Sequence, residues 1–199
     1  MIMKAVSSFI ILVFYLSFQL SAQAKYKLVE KDAVASCFSF DIVDENNKQV
    51  KLPDKFKDVL DCPAMIDIHG SILTYEYNGV RQYNIDKGND MLLFHNYDDI
   101  DGCSGPAWSA DDSKVMFVII NQEMKHDYKA MCRIIVLTLN DDGSVLEKRK
   151  FDRNVHFFCG SICASIPGKD FYFKDNNTII YREHNYNHED FKTYEISLK

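Results

Sequence analysis

Positively charged residues are scarce in this sequence. Its 199 residues include 23 Lys and Arg against 29 Asp and Glu, which gives a formal charge of −6. Proteins that bind nucleic acids in general normally present a basic surface, so this balance argues against that class. An acidic surface first of all keeps a protein in solution, and by itself it identifies no partner.

Local signatures of catalysis are missing. Ser104 lies in C-S-G-P and Ser161 in C-G-S-I-C, and neither has the G-x-S-x-G pattern of a nucleophilic serine. The closest cysteines, Cys159 and Cys163, have three residues between them, unlike the Cys-x-x-Cys of thiol oxidoreductases. We therefore assign no catalytic residue and no cofactor. An enzyme is the alternative, because the residues of a catalytic triad can lie far apart in the sequence and meet only in the folded protein.

A complete calcium motif is lacking too. Asp98, Asp99 and Asp101 precede Gly102 and could present carboxylate oxygens to calcium. An EF-hand loop would continue to a bidentate Glu about twelve residues from its start, where this sequence has Ser-Ala at 109–110. The three aspartates are the calcium candidate, and we favour a solvated turn.

A zinc site is similarly incomplete. His184 and His188 flank Asn-Tyr-Asn, with acidic residues at 183, 189 and 190. On one helix or one strand this spacing would place both imidazoles on the same side, as zinc requires. However, Asn-Tyr-Asn is typical of a turn, where neither geometry holds. We therefore predict no metal here.

Long amphipathic helices are absent, and short apolar segments take their place. The only helix candidates are brief, at 51–60 and 122–131, and neither has a long stripe of period 3.6. Segments of four to eight residues rich in β-branched and aromatic types alternate with turn-forming residues, which predicts an all-β domain. The predicted strands are 36–43, 71–77, 91–95, 114–120, 133–139, 170–173, 178–182 and 193–198.

The amino terminus carries the one long apolar run. Lys4 precedes the run at 9–20, and small residues follow at Ala22 and Ala24. This order predicts a secretory signal peptide at 1–24 and a single exported domain at 25–199. A membrane anchor would need about 20 apolar residues, so we expect no membrane span after cleavage. Without Lys4, 22 basic residues face 29 acidic ones, a formal charge of −7.

Six cysteines lie in the predicted exported domain. An even number in an oxidising compartment favours disulfides over free thiols. A metal site would need a second close pair, which is missing. Six cysteines allow 15 pairings, and the sequence does not choose among them. The disulfide candidates are Cys37, Cys62, Cys103, Cys132, Cys159 and Cys163.

The mature sequence repeats itself weakly. Residues 106–118 read P-A-W-S-A-D-D-S-K-V-M-F-V, a strand, a tight acidic turn and a strongly apolar strand. Fifty-six residues later, 164–173 reads A-S-I-P-G-K-D-F-Y-F, and a third, weaker copy follows Cys62 with its turn at His69-Gly70. Each copy predicts a β-hairpin, preceded by a cysteine, whose second strand is buried on both faces.

The best copy resembles the TolB-type, WD-repeat-like β-propeller repeat, whose usual form is P-x-W-S-P-D-G-x-x-I-x-F. The strand 133–139 and the turn and strand that follow it are similar to the third and fourth strands of that repeat. The resemblance covers about 62–199, as one good copy and two degenerate ones. It implies propeller blades and, for Trp108, a place between blades. It implies no activity, because propellers host many functions.

The length of the chain limits the number of blades that it can form. A blade takes roughly 40–50 residues, so the 175 residues from 25 to 199 supply about three to four blades. We therefore predict a propeller-like stack of antiparallel blades, with a β-sandwich as the alternative. Uncapped sheet edges would promote association with other chains. We therefore expect disulfides between the cysteines to hold such edges in place.

These observations predict a non-enzymatic binding module in the bacterial periplasm, the cell envelope or outside the cell. We expect its partner to be a protein or an envelope glycan, and not nucleic acid. Propellers bind through the loops on one face, so Asp98, Asp99 and Asp101 are the first candidates for contact with a partner. The alternatives are a secreted hydrolase acting on glycans or peptides and a small acidic protein of the inhibitor or immunity type.

Overall fold

A computed structural model describes residues 24–31, 38–61, 63, 65–95, 102–121, 129–156, 169–184 and 191–199. Over these ranges the chain is built almost entirely from β-strands, with one helix of five residues. The prediction of an all-β chain is confirmed. No helix within the same ranges is long and apolar enough to cross a bilayer. Of the predicted signal peptide, only Ala24 is described, so its cleavage stays a prediction.

The strands and the helix are named here in their order along the chain. Up to residue 95 they are β1 (Tyr26–Glu30), β2 (Phe40–Asp44), α1 (Phe56–Leu60), β3 (Ile66–His69), β4 (Ile72–Glu76), β5 (Val80–Asn84) and β6 (Asn89–Phe94). From residue 102 they are β7 (Gly102–Trp108), β8 (Lys114–Asn121), β9 (Lys129–Leu139), β10 (Val145–His156), β11 (Phe171–Asp175), β12 (Thr178–His184) and β13 (Phe191–Ser197).

The described strands form four antiparallel sheets, and none of these closes into a barrel. The first sheet contains β1 and β2, and the second contains β3 to β6 in chain order. The third contains β7 to β10 and the fourth β11 to β13, again with neighbours in chain order. Each sheet is therefore a simple meander, which is compatible with either blades or a sandwich.

The helix predictions are only partly right. The segment 51–60 forms a helix over Phe56–Leu60 alone. The prediction of a helix over 122–131 is wrong at its carboxyl end, because residues 129–131 belong to β9: all three pair with β10, and Met131 also pairs with β8. Pairing with the neighbouring strands satisfies backbone groups of these residues and overrides a weak local helix preference. The remainder of that segment lies outside the described residues.

The third sheet forms the centre of the molecule. Along β8, Val115, Phe117 and Ile119 pack against the second sheet, whereas Met116 and Val118 pack against the fourth. All five are buried, because alternate side chains of a strand point to opposite faces. The prediction that this strand is buried on both faces is confirmed. The predicted placement of a cysteine before the hairpin is wrong here, since Cys103 lies within β7.

The second sheet is also covered on both faces. Leu73, Tyr75 and Tyr83 pack against Ile42 of the first sheet and Phe56 of α1. The opposite face contacts the third sheet through residues such as Val80, Leu93 and Phe94. The sheets are therefore stacked in chain order, with α1 on the outer side of the second sheet.

The turn between β7 and β8 is held by its own polar side chains. Asp111 Oδ1 accepts hydrogen bonds from Ser113 Oγ at 2.7 Å and from Ser109 Oγ at 2.8 Å. These bonds lower the pKa of Asp111 to about 2. Asp112 has φ = +58°, in the left-handed region that glycine adopts with least strain. It stands where the P-x-W-S-P-D-G pattern has glycine.

Candidate functional site

A groove opens on the side of the molecule formed by β2, α1 and the segment that connects them. We call it the β2 groove, and its volume is about 680 Å³. Sites for small molecules and peptides usually have volumes of about 300–1,000 Å³. Its lining consists of residues 39–42 and 49–54 together with Lys31, Phe56, Lys57, Leu60 and Asp61.

The β2 groove has an apolar floor and a charged rim. Ile42 and Phe56, each 1% exposed, lie at its base, and Val50, Leu52 and Leu60 pack beside them. Three lysines and three aspartates line the remainder, so the groove is formally neutral in an acidic protein. An apolar base with polar groups at the edge is the usual composition of a binding site.

Short hydrogen bonds fix one end of the rim. Asp41 Oδ1 accepts from Lys31 Nζ at 2.6 Å and from Gln49 Nε2 at 2.9 Å. Ser39 Oγ donates to Asp61 Oδ1 at 2.6 Å, and the backbones of these two residues form an isolated β-bridge. This end of the groove is therefore held from both the β2 side and the α1 side.

The other end of the rim is more open. Lys57 Nζ lies 3.7 Å from Asp54 Oδ1, with 80% and 94% of the two side chains exposed. An ion pair so exposed contributes little to stability. Lys51 is exposed and forms no ion pair with a described residue. These groups can thus turn toward a ligand at little energetic cost.

A network around Asp90 holds α1 against the second sheet. Asp90 Oδ2 accepts a hydrogen bond from Lys55 Nζ at 2.6 Å, and Oδ1 accepts one from Tyr75 Oη at 2.9 Å. Arg81 donates through Nε and Nη2, each at 3.3 Å. Burial acts to raise the pKa of Asp90, but the three donors outweigh it and hold the pKa below its usual range. Burial and the bond to Asp90 raise the pKa of Tyr75 to about 12.

Aromatic rings reinforce the same contact. The Phe56 ring packs on Tyr75 and Tyr83, with centres 5.4 Å and 4.6 Å apart. Lys55 Nζ lies 5.1 Å from the centre of the Phe56 ring and 5.8 Å from that of Tyr83, a cation–π arrangement. The short helix is therefore fixed by its surroundings, and the wall of the β2 groove that it forms is preorganised.

The start of β1 is fastened to the second sheet. Lys25 Nζ and Tyr26 Oη both donate to Asp86 Oδ1, at 2.6 Å and 2.7 Å. These two bonds, that from Lys25 first, lower the pKa of Asp86. The first described residues after the predicted cleavage point are thus held against the second sheet.

A second cluster joins the second and third sheets. The His69 ring, at the end of β3, lies on the Trp108 ring, at the end of β7, with centres 4.9 Å apart and planes 15° apart. His69 Nε2 is 2.7 Å from Oδ1 of Asp112. Trp108 thus packs between the second and third sheets, and the prediction that it lies between propeller blades stays a prediction.

The face of the second sheet toward the third carries buried polar groups that find no partner in the described part of the chain. Thr74 is fully buried and Gln82 is 6% exposed. Thr74 Oγ1, Gln82 Nε2 and Trp108 Nε1 have no hydrogen-bond partner among the described residues. Asp67 lies opposite Thr74, and burial raises the pKa of its carboxyl despite the attraction of nearby His69.

The predicted metal candidates are not placed by the structure. Asp98, Asp99 and Asp101 lie outside the described residues, so the calcium prediction is untested. His188 is outside them too, and only the backbone of His184 is described, in β12. Among the residues that were placed, no three His, Cys, Asp or Glu side chains cluster closely enough for a metal.

The two serines without a nucleophile motif and the disulfide candidates are described only in part. Ser104 is a buried residue of β7, whereas Ser161 lies outside the described part of the chain. The same holds for Cys37, Cys62, Cys159 and Cys163. Their pairing stays a prediction.

Backbone positions limit the disulfide pairings. Cys103 lies on β7 and Cys132 on β9, with β8 between them. Two strand spacings amount to about 9–10 Å, whereas bonded cysteines have Cα atoms within about 7 Å. A bond between these two residues is thus excluded. Because three of the 15 possible pairings contain it, about twelve remain.

The sequence did not indicate the β2 groove or the His69 cluster. The signal for the groove would have been the short connection at 49–54, in which Val50 and Leu52 alternate with charged or polar residues. Its partners lie on two other elements, and no local pattern joins them. No model of a known protein family matches the chain, and no curated protein matches its sequence.

Proposed function

We propose that this chain is an exported, non-enzymatic binding module of the cell envelope or periplasm that captures an extended protein segment in the β2 groove. The observation that carries the proposal is the groove itself, with its apolar floor and neutral, mixed-charge rim. Such a floor takes up aliphatic side chains, and a rim with both signs of charge matches the polar atoms of a peptide.

Preorganisation supports the same function. The Asp90 network and the Phe56 rings fix α1, while Asp61 and Ser39 tie the end of the helix to β2. A groove whose walls are already ordered spends little conformational entropy when a ligand enters. Lys51 is exposed and Lys57 is held only by an exposed pair with Asp54, so both can contact the ligand.

Blade-like sheets fit this role. We propose that the second, third and fourth sheets are blades of the TolB type, stacked face to face, with the first sheet and α1 covering one end. The support is the meander order of each sheet and the hairpin β7–β8 at the best copy of the repeat. The β2 groove then lies on the end cover and not on a blade.

Photo-crosslinking in living cells tests the binding site. A benzophenone residue in place of Lys51 should form an adduct with an envelope protein, whereas one in place of the exposed Lys192 on β13 should not. Equal adducts at both positions, or none at either, would overturn the proposal. An adduct that glycosidases remove would make the partner a glycan.

Two further variants locate the contact. Leu52→Glu places a charge at the apolar floor and should abolish the Lys51 adduct without loss of folding, which circular dichroism reports. Alanine at Asp98, Asp99 and Asp101 should leave the adduct unchanged if the groove alone binds. Loss of the adduct only in the alanine variant would move the site to the acidic loop.

Export has its own test. The protein recovered from the periplasm or medium should begin with Lys25 when its amino terminus is sequenced. Protein that stays in the cytoplasm and retains Met1 would overturn this part of the proposal.

A further inference from the structure

One end of the β2 groove is closed by two backbone segments, each of which leads to a cysteine. Ser39 and Asp61 form an isolated antiparallel β-bridge, and Ser39 Oγ donates to Asp61 Oδ1 at 2.6 Å. Cys37 precedes Ser39 by two residues, and Cys62 follows Asp61 directly. Because the paired segments run in opposite directions, these two steps along the chain lead to the same side of the bridge.

The geometry of the bridge gives the separation expected for the two cysteines. Both lie outside the described residues, but their neighbours Phe38, Asp61 and Pro63 are described. Paired residues of antiparallel segments have Cα atoms about 4.5–5.5 Å apart, and the chain rises by about 3.4 Å per residue. Two residues one step out of register are therefore about 6 Å apart. Bonded cysteines have Cα atoms about 4.4–6.8 Å apart, so the expected separation suits a disulfide.

The alternation of side chains does not keep the two thiols apart. In a continuous ladder, residues one step out of register point to opposite faces of the sheet. Here the pairing ends at the bridge, because Phe38 belongs to no strand and Pro63 has no N–H group with which to extend the ladder. The two cysteine side chains are therefore free to turn toward each other.

The surroundings of the bridge are open to an oxidant. Phe38 is 51% exposed, and Asp61 is exposed as well. When a disulfide forms, two thiols give up two electrons and two protons, and the disulfide of glutathione or of an oxidoreductase accepts them and becomes two thiols. Export, which is part of the proposed function, supplies a compartment in which such an oxidant is present.

We propose that Cys37 and Cys62 form a disulfide that closes the β2 groove into one covalent loop. Every residue that lines the groove, with the exception of Lys31, lies between these two cysteines in the sequence. The Asp90 network holds the start of α1 through Lys55, and the disulfide holds the chain just after the end of α1. The helix that forms one wall of the groove is thus fixed at both ends. The inference rests on the proposed function only through export.

This bond also restricts the pairing of the four other cysteines. Cys103 and Cys132 do not bond to each other, because β8 lies between their strands. Four cysteines allow three pairings, so two remain when all four are bonded. Both join one of Cys103 and Cys132 to one of Cys159 and Cys163. The two most closely spaced cysteines of the sequence are therefore not bonded to each other.

Peptide mapping identifies the bond. The protein is purified from the periplasm or medium, or is oxidised with glutathione disulfide after purification, so that the measurement does not depend on export. Trypsin cuts after Lys and Arg and should release the fragments 32–48 and 58–81, each with a single cysteine. We expect one linked species without reductant and two separate fragments after reduction. Two unlinked fragments, or a link from either one to another part of the chain, would overturn the proposal.

Single variants test the pairing from each side. Cys37→Ser should free the thiol in the fragment 58–81, and Cys62→Ser should free the thiol in the fragment 32–48. Alkylation before reduction labels these thiols, and mass spectrometry locates the label. The control Cys163→Ser should leave the link between the two fragments intact. A label on any other cysteine in Cys37→Ser or Cys62→Ser contradicts the pairing.

The disulfide and the proposed function fail separately. A mapped bond without any adduct at Lys51 overturns binding in the β2 groove and leaves the disulfide, whereas an adduct without the bond does the reverse. In the double variant Cys37→Ser/Cys62→Ser the adduct should be reduced, because the groove is less preorganised. Circular dichroism shows whether that variant is folded. An undiminished adduct in the folded variant would show that the bond does not organise the groove.

Discussion

The second sheet carries one partly buried aspartate on each face, and their pKa values move in opposite directions. Asp90, toward α1, has a lowered pKa because Lys55, Arg81 and Tyr75 outweigh the effect of its burial. Asp67, toward the third sheet, has a raised pKa because burial dominates. Depth alone does not decide the charge of a carboxylate, because its hydrogen-bond donors can reverse the effect of burial.

The two faces differ in the same way in their neutral groups. On the face toward α1, the Tyr75 hydroxyl is bonded to Asp90. On the face toward the third sheet, the Thr74 hydroxyl and Gln82 Nε2 have no partner among the described residues. We therefore expect the first face to supply stability through its polar groups and the second to supply it through apolar packing.

The largest expected effect comes from Asp90→Asn. It removes the anion shared by Lys55, Tyr75 and Arg81, and should lower the free energy of unfolding near pH 7 by about 2–3 kcal/mol. Urea unfolding measures this, and Asp58→Asn, an exposed change on α1, should alter it by less than about 0.5 kcal/mol. Equal effects of both variants would contradict the difference between the faces.

The same variant has a defined pH dependence. Because the pKa of Asp90 in the folded state lies below its usual 3.8, its stabilisation is present above that value and is lost as the pH falls through the lower one. The difference in the free energy of unfolding between wild type and Asp90→Asn should therefore disappear under acidic conditions below pH 3.8.

A smaller effect of opposite sign is expected for Thr74→Val. The change replaces an unpaired buried hydroxyl by a methyl group of similar shape and should raise the free energy of unfolding by up to about 1 kcal/mol. Thr138→Val, at a half-buried position of β9, is the matched control and should change stability little. A clear loss in Thr74→Val would show that the hydroxyl is bound in solution.

The smallest effect is expected for Asp67→Asn. Since the pKa of Asp67 in the folded state lies above its usual 3.8, its charge opposes folding at neutral pH, and this penalty fades as the pH falls toward 3.8. The variant should be more stable than wild type near pH 7, by less than about 1 kcal/mol, and equal to it near pH 3.8. Urea unfolding at both pH values checks this, and a destabilised variant at neutral pH would refute it.

Sequence patterns predicted those strands that consist mostly of apolar residues. The predicted strand 114–120 matches β8 (Lys114–Asn121). Its five successive apolar residues are all buried, and a strand between two sheets buries such a run on both faces. By contrast β1 (K-L-V flanked by polar residues) and β5 (V-R-Q-Y-N) were missed. Their polar side chains face solvent or form the Arg81 network, so their strand conformation depends on pairing with neighbours.

The candidate site was harder to predict from the sequence than the fold was. Lys55 and Asp90 are 35 residues apart, and Lys25 and Asp86 are 61 apart. No period along the chain encodes such pairs, which form only when the sheets stack. The sequence predicts a turn at His69-Gly70, whereas His69 is the last residue of β3, and its contact with Trp108 forms only because the second and third sheets pack together.

The bond between Lys25 and Asp86 has a consequence for the order in which the domain assembles. Synthesis delivers the amino terminus first, so β1 emerges long before Asp86 in the turn after β5. Lys25 and Tyr26 must wait for about 60 further residues before Asp86 becomes available. β1 can pair with β2 early, whereas the contact of Lys25 and Tyr26 with Asp86 forms only when the second sheet assembles. We therefore expect these two residues, beside the predicted cleavage point, to stay accessible to a peptidase for longer than the rest of the strand.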